Sequence, residues 1–194
     1  MSTEITKLDL FSTPVWVFKS HHLKSANLSF LEAIESGALG TPSLTKRSNR
    51  KGARYEFNFL KDIPEEIRTF VLKSLQRILS PEFYVAIESW VNLHLTDGYN
   101  VSHMHPGYLL SGVYYVKSNE NAGKLVLEDP RMQAQFAANH VFLKEPINHT
   151  ATRLTPEEGM LVLFPSWLMH HVTENTTSES RVSIALNISA HKKS

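Results

Sequence analysis

The 194 residues carry 20 Lys and Arg against 19 Asp and Glu, a formal charge of +1, with 42% hydrophobic and 20% charged residues. That balance describes a globular chain of one-domain length, excludes wholesale disorder, and provides no large field for nucleic acid or an anionic membrane. There is no cysteine, so disulfides, thiolate metal sites and cysteine nucleophiles are excluded, and any metal must be held by His, Asp or Glu.

The opening stretch, MSTEITKLDLFSTPVWVF, lacks the basic and continuous apolar regions of a secretory signal. No window approaches 18 apolar residues, so no membrane span is expected. The sequons at Asn27, Asn148, Asn175 and Asn187 are read as chance, and the expected location is cytoplasmic.

Leu8 to Lys19 is a strand-like run with Pro14 near its start. Ser25 to Ser36 has a helical period at Leu28, Leu31 and Ile34, and Gly37 closes it. Gly40 to Gly52 is polar and basic and reads as an exposed, solvated loop. A second helix is expected from Asp62, with Pro64, Glu65 and Glu66 in its first turn and a stripe of Ile67, Phe70, Val71, Leu75 and Ile78. Ser80-Pro81 ends it.

From Phe83 the pattern turns to β. Phe83 to Leu95 alternates, with Trp90, Asn92 and His94 on one face and Val91, Leu93 and Leu95 on the other. Thr96-Asp97-Gly98 reads as a turn. Val113 to Val116, Lys124 to Pro130 and MLVLFP (160–165) follow as strands. Arg131 to Arg153 has no period and reads as a lid or substrate wall. The last strand, Arg181 to Ser189, sets Val182, Ile184, Leu186 and Ile188 against Arg181, Ser183, Ala185 and Asn187. The tail after it is expected to fray. With no repeat or linker, the expectation is one domain, 1–194, mainly β with flanking helices. Residues 1–80 form an N-terminal α/β extension and 83–190 the β core.

The chemistry concentrates at Asn100 to Val116, NVSHMHPGYLLSGVYYV. On an extended chain His103 and His105, two apart, point to one face. His170, in FPSWLMHHV, is the candidate third ligand of a mononuclear iron site inside a small β-barrel. Neutral imidazoles bind Fe, Zn, Cu and Ni. Arg181 heads a strand whose same face carries Ser183, and an Arg there can hold a carboxylate bidentately. Two alternatives stay open: Asp129 or Glu128 ligates instead of His105, or His105 stands off and leaves two protein ligands. His94 and Asn92 fit behind the ligands on the inner face. His171 is expected to face solvent or substrate, and His21, His22, His140, His149 and His191 the surface.

With these residues in place, the chain resembles the 2-oxoglutarate- and Fe(II)-dependent dioxygenases, closest to a small bacterial and phage branch. The matching pieces are TPVWVF, RSN at Arg47 to Asn49, SWVNL, HMHPGYLLSGVYYV, LEDPR, EGMLVLFPSWLMHHV and SRVSIALNIS, in the family's order. The resemblance implies a double-stranded β-helix (jelly-roll) core and three reagents: Fe(II), 2-oxoglutarate and O2. It implies that His103 and His170 bind iron, that Arg181 grips the far carboxylate of 2-oxoglutarate with Ser183 beside it, and that Tyr115 is a third contact. Asn92 joins that group on the same face. The implied reaction hydroxylates a small molecule or peptide side chain and releases succinate and CO2.

One departure stands out. The superfamily's middle ligand is a carboxylate, and here it is His105. That keeps in view a three-histidine enzyme independent of 2-oxoglutarate (an oxygenase or a zinc hydrolase) and a non-catalytic jelly-roll binding module. The substrate is not legible. The N-terminal strand and helices offer a surface for a homodimer.

Overall fold

The computed structural model describes residues 11–43, 47–131 and 150–193. Eleven elements follow in order: β1 (Trp16–Lys19), α1 (Lys24–Glu35), β2 (Asn49–Glu56), α2 (Glu65–Gln76), β3 (Phe83–His103), β4 (Leu110–Lys117), β5 (Leu125–Glu128), β6 (Ala151–Leu154), β7 (Met160–Pro165), β8 (His170–Val172) and β9 (Arg181–Lys192). All strand pairs are antiparallel, in the order β1-β7-β4-β9-β3-β8-β5-β6, with β2 also on β3. This is the expected jelly roll, mainly β with two helices on one side.

The 21-residue β3 links the two halves of the sheet. Its first part pairs with β9 from Phe83 to His94, and its end pairs with β8 at Asn100 and His103. Between them the strand bulges. Two steps along β2, Arg50 to Gly52, face five along β3, Tyr99 to His94. Asp97 takes φ +62, and a Cβ on Gly98 would meet His94 Cβ and the Leu95 carbonyl at 2.8 Å. Thr96-Asp97-Gly98 is therefore a bulge within one strand and not a turn between two, because the ladder resumes beyond it.

The alternation of β9 decides what is core and what is site. Val182, Ile184, Leu186 and Ile188 are buried in the layer that the helices cover, packed with Ile67, Val71 and Leu75 of α2 and Phe30 and Ile34 of α1. Burial at that density drives both helices onto the sheet. The opposite face of β9 looks into the barrel with Tyr115, Leu125, Phe164 and Leu168.

Several expectations need correction. In α1 the buried residues are Ala26, Asn27, Phe30 and Ile34, while Leu28 is 50% exposed. Asn27 belongs inside because its Oδ1 accepts the Tyr114 hydroxyl at 2.7 Å. Helix α2 starts at Glu65, with Pro64 outside as its cap. The Asp62 carboxylate instead accepts the Asn58 N–H at 2.7 Å. The basic 40–52 segment is not all loop. From Asn49 it is strand β2, whose polar sequence NRKGARYE hides the period while its backbone pairs with β3. Ala151 to Arg153 belong to β6, paired on β5. The tail does not fray after Ser189, because β9 continues through Lys192 opposite Phe83. Residues 132–149 of the expected wall, with His140 and His149, lie outside the described residues, as do residues 8–10 of the first run.

Candidate metal centre

Strand pairing brings the first two imidazoles together. β8 runs antiparallel to the end of β3 with His170 opposite His103, and their rings are 4.3 Å apart. Three steps along β3, Asn100 to His103, face two along β8, Val172 to His170. That extra residue switches face, so both Asn100 and His103 line the interior. His105 lies two residues past the strand end, where its N–H donates to the Ser166 carbonyl at 2.9 Å. Its ring is 4.9 Å from His103 and 5.2 Å from His170. One nitrogen from each of the three lies within 4.8 Å of the others.

The hydrogen bonds fix which nitrogen is free. His103 Nδ1 lies 2.7 Å from the Val101 carbonyl and His170 Nδ1 2.8 Å from that of Leu168. A carbonyl only accepts, so each Nδ1 carries the proton and each Nε2 keeps its lone pair for a metal. Burial holds the His103 imidazole below its usual range. Burial, followed by the charges of His103 and Arg54, brings His105 down to about 4. Burial, with His103 next, brings His170 down to about 3. Three neutral imidazoles converging in one cavity can hold a divalent transition metal.

The acidic alternatives are occupied elsewhere. Glu128 accepts from Ser102 Oγ at 2.6 Å and pairs with His171 Nδ1 at 3.0 Å. Asp129 is bound by Arg131 through its Nη2 at 2.6 Å and its Nε at 3.0 Å. Among the described residues, the close metal-ligating group is the three histidines. His171, adjacent to His170, points out toward Glu128, as alternation along β8 requires.

Arg181 sits deeper in the same cavity, opposite His94 in the ladder, with Ser183 opposite Asn92 and Tyr115. It is 1% exposed. Its Nη1 donates to the Ala122 carbonyl and, at 3.5 Å, to that of Thr173, while Nη2 has no partner. Burial lowers its pKa to about 10, against the raising influence of Tyr115. The Tyr115 hydroxyl is also buried without a partner, and burial pushes it up to about 12. A cation in a buried wall with an open N–H edge, beside two hydroxyls, fits a carboxylate. Asn92 lines this cavity too, its Oδ1 accepting from Asn49 Nδ2 at 3.3 Å. His94 lies behind Arg181, held down to about 3 by burial and then by that guanidinium.

Arg54 escapes sequence reading. It is 4% exposed, with Cζ 4.1 Å over the Trp90 ring, and Trp90 in turn stacks on His105 at 5.8 Å. The available signal was its place in register opposite Asn92, which becomes readable only once β2 is known to be a strand.

Residues 88–187 match the family model described as "Putative 2OG-Fe(II) oxygenase". No curated protein sequence matches the chain. Among solved structures, a Pseudomonas putida prolyl-4-hydroxylase is similar at 13% identity and TM-score 0.63, over 93% of this chain and 95% of that one. A Trichoplax adhaerens prolyl hydroxylase, in complex with a hypoxia inducible factor peptide fragment, gives 13% and 0.66 over 92% and 84%. HygX from Streptomyces hygroscopicus, with nickel, 2-oxoglutarate and hygromycin B bound, gives 13% and 0.60 over 91% and 83%.

Proposed function

The chain belongs to the 2OG-Fe(II) oxygenase family, and from that membership we propose that it hydroxylates a small molecule or peptide side chain at iron held by His103, His105 and His170. One 2-oxoglutarate and one O2 are consumed per turnover. One oxygen atom enters the substrate C–H bond, and the other enters succinate as CO2 leaves.

The observation that carries this reading is the cavity itself. One nitrogen from each of three imidazoles converges at one end, and a buried guanidinium with an unpartnered Nη2 stands at the other. A zinc hydrolase does not call for a buried Arg181 beside Ser183, and incidental histidines in a binding module would not be expected to converge.

Iron with 2-oxoglutarate supplies the activation of oxygen; the chain supplies position and environment. The Val101 and Leu168 carbonyls orient two ligand rings. Arg181, with the Ser183 and Tyr115 hydroxyls, fixes the far carboxylate of the co-substrate and so sets its reach toward the histidines. Phe164, edge-on to His170 at 4.8 Å, and Trp90, stacked on His105, keep bulk water from the rings. Three neutral ligands leave the metal's charge uncompensated, and the dianionic co-substrate offsets it.

Anaerobic Fe(II) loading followed by 2-oxoglutarate should give the weak visible charge-transfer band of the chelate. In Arg181→Ala the 2-oxoglutarate needed for half the band should rise on the order of 100-fold, the loss of a charge-assisted pair worth roughly 2–3 kcal/mol. Iron that binds without any band in the wild-type protein would sink the reading.

A further inference from the structure

Beyond the co-substrate cavity, a second one of about 430 Å³ opens on the other side of His105. That size suits a small metabolite or a pair of side chains. Its described lining is uneven in charge. Among the described residues Arg47 and Arg54 contribute two cations and no acidic side chain lines it, with Ser48, Trp90, Tyr108 and Asn187 beside the His103 and His105 imidazoles. Glu88 stands just behind, where its carboxylate accepts the Tyr108 hydroxyl and does not line the cavity.

Arg54 is the unusual member. Its Nε donates to Glu56 Oε1 at 2.6 Å, but Glu56 is more than half exposed. The far edge of the guanidinium has no such partner, and Nη2 is fully buried with no acceptor. The group lies flat on Trp90, and Trp90 lies against His105, so it is one aromatic ring away from the metal-binding imidazole. A stacked guanidinium is held rigid, and its planar fork matches a planar oxyanion. Packing on Trp90 alone would be served as well by a side chain without an orphaned donor.

We propose that this cavity binds the carboxylate of the substrate, through Arg54 with help from Arg47, and so presents a neighbouring carbon to the metal beside His105. This rests on the oxygenase reading above and names the substrate class for it: a carboxylate-bearing small molecule or acidic side chain. Arg181 and Arg54 then divide the two anions, co-substrate on one side of the histidines and substrate on the other. Discrimination follows from an acceptor requirement, because a neutral analogue leaves the buried Arg54 Nη2 without an anionic acceptor.

The test uses acetate and its neutral isostere acetamide as probes on the Fe(II)-loaded protein saturated with 2-oxoglutarate, without oxygen. The zinc-loaded protein serves for NMR of the Trp90 indole and Arg54 Nε–H resonances. Acetate should shift both resonances at concentrations at least about tenfold below any effect of acetamide. Arg54→Gln should abolish that difference, and Arg54→Lys, which keeps charge and stem but not the fork, should weaken it. Equal responses to the two probes, or an acetate response that survives Arg54→Gln, overturns the proposal. The chelate band of the wild-type protein is read separately. A band with no acetate response defeats the substrate site alone, and absence of the band defeats the oxygenase reading.

Discussion

At the scale of single residues, the proposed iron centre turns on His105, which stands where the family resemblance implies a carboxylate. An imidazole there keeps the ligand count but not the charge. His105→Asp would restore an anionic ligand, and Fe(II) affinity should stay within about tenfold of wild type. His170→Ala removes a proposed ligand whose tautomer is set by the Leu168 carbonyl and should cost on the order of 100-fold or more. Competition with a colorimetric chelator measures both. Undiminished affinity in His170→Ala would refute the three-imidazole centre. Arg181 and Ser183 were legible because they share a face of β9 by simple counting. His105, past the end of β3, instead reaches His103 through a loop, where its N–H donates to the Ser166 carbonyl. Arg54 was not legible, since NRKGARYE has no apolar alternation to reveal which side chains turn inward.

At the scale of elements, β9 was read almost completely from its pattern. Two of the errors along the chain share a cause. Backbone pairing can continue through polar or bulged sequence, as β2 and the Asp97 bulge both do, and side-chain periodicity does not report it. The turn before β5 shows the same limit. Gly123 has φ +90, and a Cβ there would collide with the Thr173 carbonyl and with Arg181 Nη1. No sequence signal ties that glycine to the arginine 58 residues on, yet it leaves the room in which the guanidinium lies. Gly123→Ala should raise the 2-oxoglutarate needed for the chelate band by roughly tenfold and lower stability by about 1–3 kcal/mol, with Fe(II) affinity unchanged. A normal 2-oxoglutarate titration in this variant would show that the turn does not position Arg181.

At the scale of the whole molecule, folding takes four imidazoles out of water in a neutral state. His94 and His170 are held down to about 3, His105 to about 4, and His103 below its usual value, each mainly by burial. An unfolded histidine titrates near 6.5. Below that pH the unfolded chain takes up protons that the folded one refuses. Stability is therefore full above about 6.5 and falls with pH until the folded values are reached. His94 alone, 1% exposed, should account for about 2 kcal/mol between pH 7 and 5, a sizeable part of the roughly 5–15 kcal/mol that holds a domain together. Urea unfolding of the metal-free protein at a series of pH values measures this as a slope. In His94→Asn, which cannot protonate, the slope between pH 6 and 4 should be shallower by one proton, about 1.4 kcal/mol per pH unit. The comparison is of slopes, so any constant cost of the substitution drops out. Parallel slopes would mean that His94 is protonated as readily in the folded protein as in the unfolded, and that its place behind Arg181 is wetter than its burial implies.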